Sequence, residues 1–390
     1  MKVLINAIHA KSGGGVTYMR RILHPLGTLA GPADTFEVLG RAEQSVLVDG
    51  APPNVTFVPV LCPRIKGADA VLEQWLLPFH ASMRRADIIF CPQNYGPVLS
   101  RVPVVLLLRT SLAVRHTASS LVQRAFWQMY VLATGASIRR ASRVAVVSET
   151  LAEEMRGLFR LSPSFEMPVI PHGIHPVFCL GPGSGNPMSA RGGGRYFLFV
   201  SDLLRHKNLH GLVEAFAEIA ADAADCKLVV IGRELDPEYV EQVHQDAARL
   251  GVAERIDWVG PVEQDKLPDW YRHSIGLVYP SFAESFGRPP LEAMACGVPV
   301  LVSRSGAMPE ICGDGADYFD PSQPREIVGQ MRFLLQQPGS AESLARRGLE
   351  RAKEFSWEKC AALLLEVFRA TAKGPRRPAS APQPHTVNTL

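Results

Sequence analysis

The residues best suited to chemistry lie in one stretch, Pro280 to Val300, where two carboxylates, Glu284 and Glu292, are separated by seven residues around a Glu284-Ser285-Phe286-Gly287 turn. The pattern predicts a strand running into a loop. A short helix follows, its first turn preset by Pro289 and Pro290, and it stops at Gly297 before another strand. Glu284 falls in the loop. Glu292 falls near the helix N-terminus, where unpaired backbone amides form an anion site. Such a site suits a phosphorylated sugar, the amides taking phosphate oxygens and the glutamates accepting hydrogen bonds from hydroxyls. As two isolated glutamates, the same residues could merely complement the helix dipole and face solvent.

Elements of alternating character must hold that stretch in place. Short Val- and Ile-rich runs alternate with longer amphipathic stretches, the pattern of βα units and a mostly parallel sheet. The expected strands are 3–8, 35–39, 55–60, 87–91, 102–108, 144–147 and 169–170 in the first half, and 196–200, 227–231, 255–259, 276–279 and 298–302 in the second. Gly13, Gly14 and Gly15 follow the first strand and by themselves read as a flexible turn. Between the halves, 181–194 is rich in Gly and Pro and reads as a linker. Its spaced glycines do not follow a strand and open a helix, as a dinucleotide fingerprint must. The expected division is therefore a domain over 1–180, a linker over 181–194, a domain over 195–355, a last helix over 356–372 capped by Ser356, and a disordered tail over 373–390.

The 390 residues are 47% hydrophobic and 20% charged, an ordinary globular composition. Lys and Arg number 41 against 38 Asp and Glu, and Lys373, Arg376 and Arg377 lie in the acid-free tail, so the body is neutral. That argues against nucleic acid as a partner, which needs a surplus of basic residues on one face. The seven cysteines include no CxxC, and no Asp-x-Asp triplet is present to hold a metal against a diphosphate. The chain opens on Met1-Lys2-Val3 without the pattern of a signal peptide, and no apolar run reaches the ~18 residues of a membrane span, so a cytoplasmic location is expected. Between Ser120 and Arg140, Phe126, Trp127 and Tyr130 accompany Arg124, Arg139 and Arg140. This reads as a core helix with basic ends. The alternative is peripheral contact of the N-terminal domain with an anionic bilayer, at the inner face of the membrane.

The Glu284 to Glu292 segment closely resembles the signature of the family 4 retaining glycosyltransferases, part of the group 1 glycosyltransferases. The likeness continues through Ser305-Gly306-Ala307-Met308-Pro309-Glu310 and Asp320-Pro321, and Phe199 to Asn208 resembles the family's phosphate-binding strand and loop. It spans nearly all of 1–372 and is weakest between about 60 and 140. The resemblance implies an α/β chain of GT-B fold, two doubly wound Rossmann-like domains facing a cleft. The first domain lies on the acceptor side, the second holds the donor nucleotide, and the last helix crosses back to the first. It also implies transfer of a sugar from a nucleoside diphosphate sugar, of GDP-mannose or UDP-hexose type, to an acceptor hydroxyl with retained configuration. The sugar nucleotide is then a co-substrate, no cofactor or metal is needed, and the acceptor is a glycan or glycolipid in surface polysaccharide or glycoconjugate assembly.

On matching positions the resemblance implies that Glu284 contacts the donor sugar, that the amides of Ser285, Phe286 and Gly287 hold its hydroxyls, and that Glu292 accepts from the ribose. Lys207 meets the pyrophosphate, where an ammonium stabilises the leaving group, so Lys207 and Glu284 are the expected catalytic residues. Gly14 and Gly15 resemble the Gly-rich loop that approaches the donor phosphates. Two positions depart from the pattern. Ser201 stands where many members carry a basic residue, so Arg205 or His206 is expected to supply the second cation. Pro290 lacks an N–H, which shifts phosphate contacts to Leu291 and Glu292. Many relatives carry a His after the strand ending here at Leu108, where this chain has Arg109-Thr110 and, further on, His116. The acceptor-side candidates are His9, Asn94, Tyr95, Arg109 and His116. The rival readings are a catalytically inactive sugar-nucleotide-binding subunit and an epimerase or phosphorylase of the same fold.

Overall fold

The computed structural model describes residues 1–10, 13–61, 68–118, 120–179, 181 and 185–374. Lys11 and Ser12, Cys62, residues 182–184 of the expected linker, and the tail from 375 lie outside the described residues.

Two six-stranded parallel sheets form the two halves. The first contains Lys2–Asn6 (β1), Thr35–Gly40 (β2), Val55–Pro59 (β3), Ile88–Cys91 (β4), Val104–Leu108 (β5) and Arg143–Val146 (β6), in the order β3-β2-β1-β4-β5-β6. The second contains Arg195–Val200 (β7), Cys226–Ile231 (β8), Ile256–Gly260 (β9), Gly276–Tyr279 (β10), Val300–Ser303 (β11) and Asp317–Phe319 (β12), in the order β12-β11-β10-β7-β8-β9. Continuous apolar runs suit this arrangement, because a parallel sheet is covered on both faces; every residue of β4, β5, β10 and β11 is buried. The expected strand at 169–170 is reduced to one bridge, Val146 to Val169, and the three-residue β12 was not anticipated.

The connecting helices are Gly13–Leu29 (α1), Ala68–Met83 (α2), Leu121–Arg140 (α3), Glu149–Phe159 (α4), Leu209–Asp222 (α5), Pro237–Arg249 (α6), Leu267–Arg272 (α7), Arg288–Ala295 (α8), Met308–Cys312 (α9), Pro324–Gln336 (α10), Pro338–Ala352 (α11) and Trp357–Lys373 (α12). Several start where the sequence supplies a side-chain cap: Ser148 accepts from Leu151 N, Asp236 from Tyr239 N, and Ser356 from Lys359 N. Helix α12 returns to the first sheet, with Phe368 5.1 Å from the Phe90 ring of β4 and Trp357 5.7 Å from the Tyr18 ring of α1. Full burial of a side chain such as Phe368 is worth about 1.5–3 kcal/mol, so several of these fix the helix firmly. Among the described residues no helix is long and apolar enough to cross a membrane.

Two expectations need correction. The Gly- and Pro-rich linker contains a 3-10 turn, Pro187–Arg191, because Asn186 caps it through Met188 N and Pro187 presets its first residue. Met188 is fully buried in the core. Helix α3 is not a core helix along its length. Only Thr134, Gly135, Ser137 and Ile138 are buried, where a Cβ on Gly135 would stand 2.8 Å from the Phe159 ring. Trp127 and Tyr130 pack against the core, Tyr130 5.6 Å from the Tyr95 ring, whereas Leu121, Val122, Phe126, Met129 and Leu132 are exposed.

Candidate active site

In each sheet the chain switches direction beside a central strand, β1 next to β4 and β7 next to β10, so the loops leaving these strands splay and open a crevice. A cavity of about 790 Å³ lies there, lined from both halves by Gly13 and Gly14 after β1, Lys207 after β7, and Glu284 to Pro289 after β10. Lys207 and Glu284 meet in it. Lys207 Nζ lies 2.5 Å from Glu284 Oε1 and 3.3 Å from the Tyr279 hydroxyl, which donates to the same carboxylate oxygen at 2.7 Å. Burial alone would lower the lysine's pKa, but the charge of Glu284 outweighs it and holds the ammonium above its ordinary range. Burial would likewise raise the Glu284 carboxyl, and Lys207 outweighs it, so the carboxyl sits below its usual value.

The loop bearing Glu284 depends on two glycines. Gly306, at φ +56, lets the following loop lie on the Glu284 backbone, where Ala307 N donates to Glu284 O at 3.0 Å; a Cβ on Gly306 would come 2.5 Å from that oxygen. Gly287, at φ +83, caps α8, and a Cβ there would collide with Met308. Glu292, one turn into α8, lines the cavity and accepts from the Tyr271 hydroxyl at 3.1 Å. Burial pushes its carboxyl above the usual range, with Arg288 and Tyr271 opposing. Leu291 is 1% exposed, so its side chain belongs to the core, and among the cavity-lining residues of α8 are Arg288, Pro289 and Glu292.

The second cation is not where the sequence pointed. Arg205 turns away to Asp236, at 3.2 Å, and to Gln242, at 3.0 Å, and borders a different cavity. His206 does line the 790 Å³ cavity, but burial first and then the Lys207 charge lower it to about 4, so it is neutral near pH 7. Arg233 and Arg288 line the cavity instead. Arg233 is held by Asp202 through two bonds, at 2.8 and 2.6 Å, and a Cβ on Gly13 would stand 2.7 Å from its Nη2. Arg288 reaches the same Gly-rich loop, 3.4 Å from a Cβ placed on Gly14. Arg288 sat within the legible motif, whereas Arg233, just after β8, had no local signal.

Beyond Gly14 and Arg109, which line both spaces, a second cavity of about 700 Å³ opens against the first half. His9 and Tyr95 line it, the Tyr95 hydroxyl lying 2.8 Å from His9 Nε2. The same nitrogen pairs with Glu73, a carboxylate with no exposure that also accepts from Asn6, at 2.9 Å, and Gln93, at 3.1 Å. Sequence reasoning missed Glu73, which reaches His9 only through the packing of α2 on the sheet. Arg109 donates to Gly14 O at 2.8 Å and Pro92 O at 3.1 Å and lies 4.1 Å over the Tyr18 ring; burial lowers it to about 10. Two acceptor candidates are displaced. Asn94 is fully buried and is consumed by the loop, donating to Thr110 O and accepting from Arg109 N and Thr110 N. His116 is exposed at the end of a 3-10 turn and borders neither cavity. Among the described residues no group of three or more His, Cys, Asp or Glu could hold a metal ion.

The halves are stitched across the cleft. Ser285 Oγ donates to Arg109 O at 2.7 Å, Ser148 Oγ donates to Ser285 O at 2.7 Å, and the Glu310 carboxylate accepts from Glu149 N, Thr150 N and Thr150 Oγ1 at the start of α4.

Residues 187–351 match the family described as "Glycosyl transferases group 1". An O-antigen chain mannosyltransferase B of Escherichia coli is 33% identical over 176 residues, 45% of this chain and 45% of that protein. A D-inositol 3-phosphate glycosyltransferase of Nocardiopsis dassonvillei is 26% identical over 391 residues, 92% of this chain and 90% of that protein. The chain thus spans under half the length of the first relative and most of the second. The crystal structure of HepE from Anabaena in complex with UDP-glucose matches 95% of this chain and 100% of its own with a TM-score of 0.76, at 19% identity. Two facing parallel sheets and this likeness make the fold GT-B.

Proposed function

We propose that the protein is a retaining glycosyltransferase that moves a hexose from a nucleoside diphosphate sugar, of GDP-mannose or UDP-hexose type, to a hydroxyl of a glycan or glycolipid acceptor in surface polysaccharide or glycoconjugate assembly. The observation that carries this reading is the buried Lys207–Glu284 pair facing Glu292 and the Gly-rich loop in one cavity. In it the diphosphate lies against Lys207, Arg233, Arg288 and the N-terminal amides of α1, Glu292 accepts from the ribose, and Glu284 faces the sugar. The bond from the sugar's anomeric carbon to the diphosphate oxygen breaks as the acceptor oxygen bonds that carbon on the same face. The acceptor proton passes to the departing phosphate oxygen, and Lys207 stabilises the charge that develops there. The acceptor approaches from the second cavity, its hydroxyls held by His9, which Glu73 orients, and by Tyr95.

The test is a panel of GDP- and UDP-sugars with glycan and glycolipid acceptors, read by release of nucleoside diphosphate and by the product's anomeric configuration in NMR. Turnover with retained configuration, persisting in excess EDTA, is expected, because Lys207, Arg233 and Arg288 neutralise the diphosphate. An inverted product sinks the same-face mechanism. Tight donor binding without slow hydrolysis or transfer supports the inactive-subunit rival, and activity lost to EDTA and restored by Mn²⁺ overturns the metal-free assignment.

A further inference from the structure

Helices α2 and α3 present large apolar side chains to water in a pattern that packing does not explain. On α2, Trp75, Phe79 and Met83 recur every fourth residue and are 70%, 60% and 67% exposed. On α3, Val122, Phe126, Met129 and Leu132 follow helical spacing and are 79%, 59%, 72% and 71% exposed. Each set forms one stripe of its helix. The two helices flank one loop. Gln74 of α2 donates to Gly96 O at 3.2 Å and accepts from Val98 N at 2.9 Å, and Ser137 of α3 bonds both Gly96 N and Gly96 O at 3.1 Å. Leu99, on that loop, is 69% exposed. Exposed apolar stripes on two helices that flank one loop point to an interaction site.

The charge around it selects the occupant. From 74 to 148 the sequence holds nine arginines and a single acid, Asp87, in a chain of net charge +3. Arg85, Arg101 and Arg124 are exposed close to the stripes in sequence. A second copy docked face to face would set the exposed Arg85, Arg101 and Arg124 against their own copies.

We propose that the α2–α3 face docks on an anionic lipid bilayer, the apolar stripes entering the acyl boundary and the arginines meeting lipid phosphates. Phe126 and Met129 belong both to the stripe and to the wall of the second cavity, so docking sets the cavity's mouth at the membrane surface. An acceptor presented there is amphiphilic, its polar end toward His9 and its apolar part along Phe126 and Met129. Docking stands on exposure and charge alone; the bearing on the acceptor rests on the function proposed above.

The experiment is co-sedimentation of the full chain, without donor or acceptor, with vesicles of phosphatidylcholine and of phosphatidylcholine mixed with phosphatidylglycerol. The chain is expected to sediment with the mixed vesicles and far less with the neutral ones, and added salt should release it. Combining Trp75→Ser, Phe79→Ser, Val122→Ser and Leu132→Ser should lower the bound fraction about tenfold or more, and Arg85→Gln, Arg101→Gln and Arg124→Gln together should abolish the preference for anionic lipid. Nucleoside diphosphate affinity, retained in both variants, confirms folding. Brominated lipid should quench the wild type more than the Trp75→Phe variant, which keeps the apolar surface. No sedimentation with mixed vesicles at low salt, undiminished binding by the fourfold Ser variant, or a concentration-dependent doubling of mass that this variant removes would each overturn the proposal. Transferase activity without vesicle binding would sink docking alone, and vesicle binding without activity would sink only the reaction.

Discussion

Lys207 and Glu284 form one buried ion pair, Nζ to Oε1 2.5 Å, and Tyr279 bonds both partners. Two groups assigned to different parts of a donor, diphosphate and sugar, therefore share one ground state. Removing either leaves the other charged and uncompensated in a buried place, at a cost of about 3–5 kcal/mol, so the double variant Lys207→Met, Glu284→Gln should be destabilised by clearly less than the sum of the singles. Lys207→Met should also lower turnover about 10²–10³-fold, because the cation acts where charge develops. Glu284→Gln should weaken the sugar-bearing donor more than the bare nucleoside diphosphate. Urea unfolding and calorimetric titration with both ligands check this. Additive stability losses, or equal affinity losses for both ligands in the Glu284 variant, would contradict it.

Glu292 carries a pH dependence of definite sign. Burial raises its carboxyl above the ordinary value of 4.5, and a protonated carboxyl loses charge-assisted acceptance from ribose hydroxyls. Nucleotide affinity should therefore be full at neutral pH and decline as pH falls through that raised value, sooner than for an exposed glutamate. Glu292→Gln should bind more weakly at pH 7 and show a flattened acid limb. Dissociation constants measured across pH for both proteins decide it, and parallel profiles would remove Glu292 from the response.

Much of this site was legible because it is local. Lys207, Glu284, Gly287 and Glu292 sit in two short segments where turn residues, helix punctuation and charge agree, and the sheet brings the two loops together because β7 and β10 are neighbours. Glu73 was not legible, since its partners Asn6, His9 and Gln93 stand far from it in sequence and α2 carries no cue to a buried carboxylate. Arg205 and Asn94 misled for the opposite reason. Each has a polar neighbour that consumes it, Asp236 for one and the Thr110 backbone for the other, and such consumption is decided by loop geometry. In the fold, the alternation of strands and helices predicted both sheets, while the exposure of α3 escaped because apolar spacing reads alike whether or not a partner covers it.

Glu310 is the clearest link holding the halves together. It follows the loop that Gly306 lays on Glu284, and its carboxylate accepts at 2.7 Å from Glu149 N, 2.8 Å from Thr150 N and 2.7 Å from Thr150 Oγ1. An acid from the second half thus caps the first turn of α4 in the first half, where the helix dipole also favours it. Closure of the cleft and anchoring of the Glu284 loop are then one event. Glu310→Ala should cost the closed form about 0.5–2 kcal/mol, the range for losing a helix cap. That should appear as a larger radius of gyration in solution scattering and a raised Michaelis constant for donor, with turnover at saturating donor changed less. Glu310→Gln, which can still accept from the Thr150 hydroxyl but lacks the charge, should fall between. Thr150→Val should cost less than Glu310→Ala and add almost nothing to it, because both remove the same latch. Unchanged scattering in Glu310→Ala, or fully additive effects of the two substitutions, would show that the contact follows closure and does not set it.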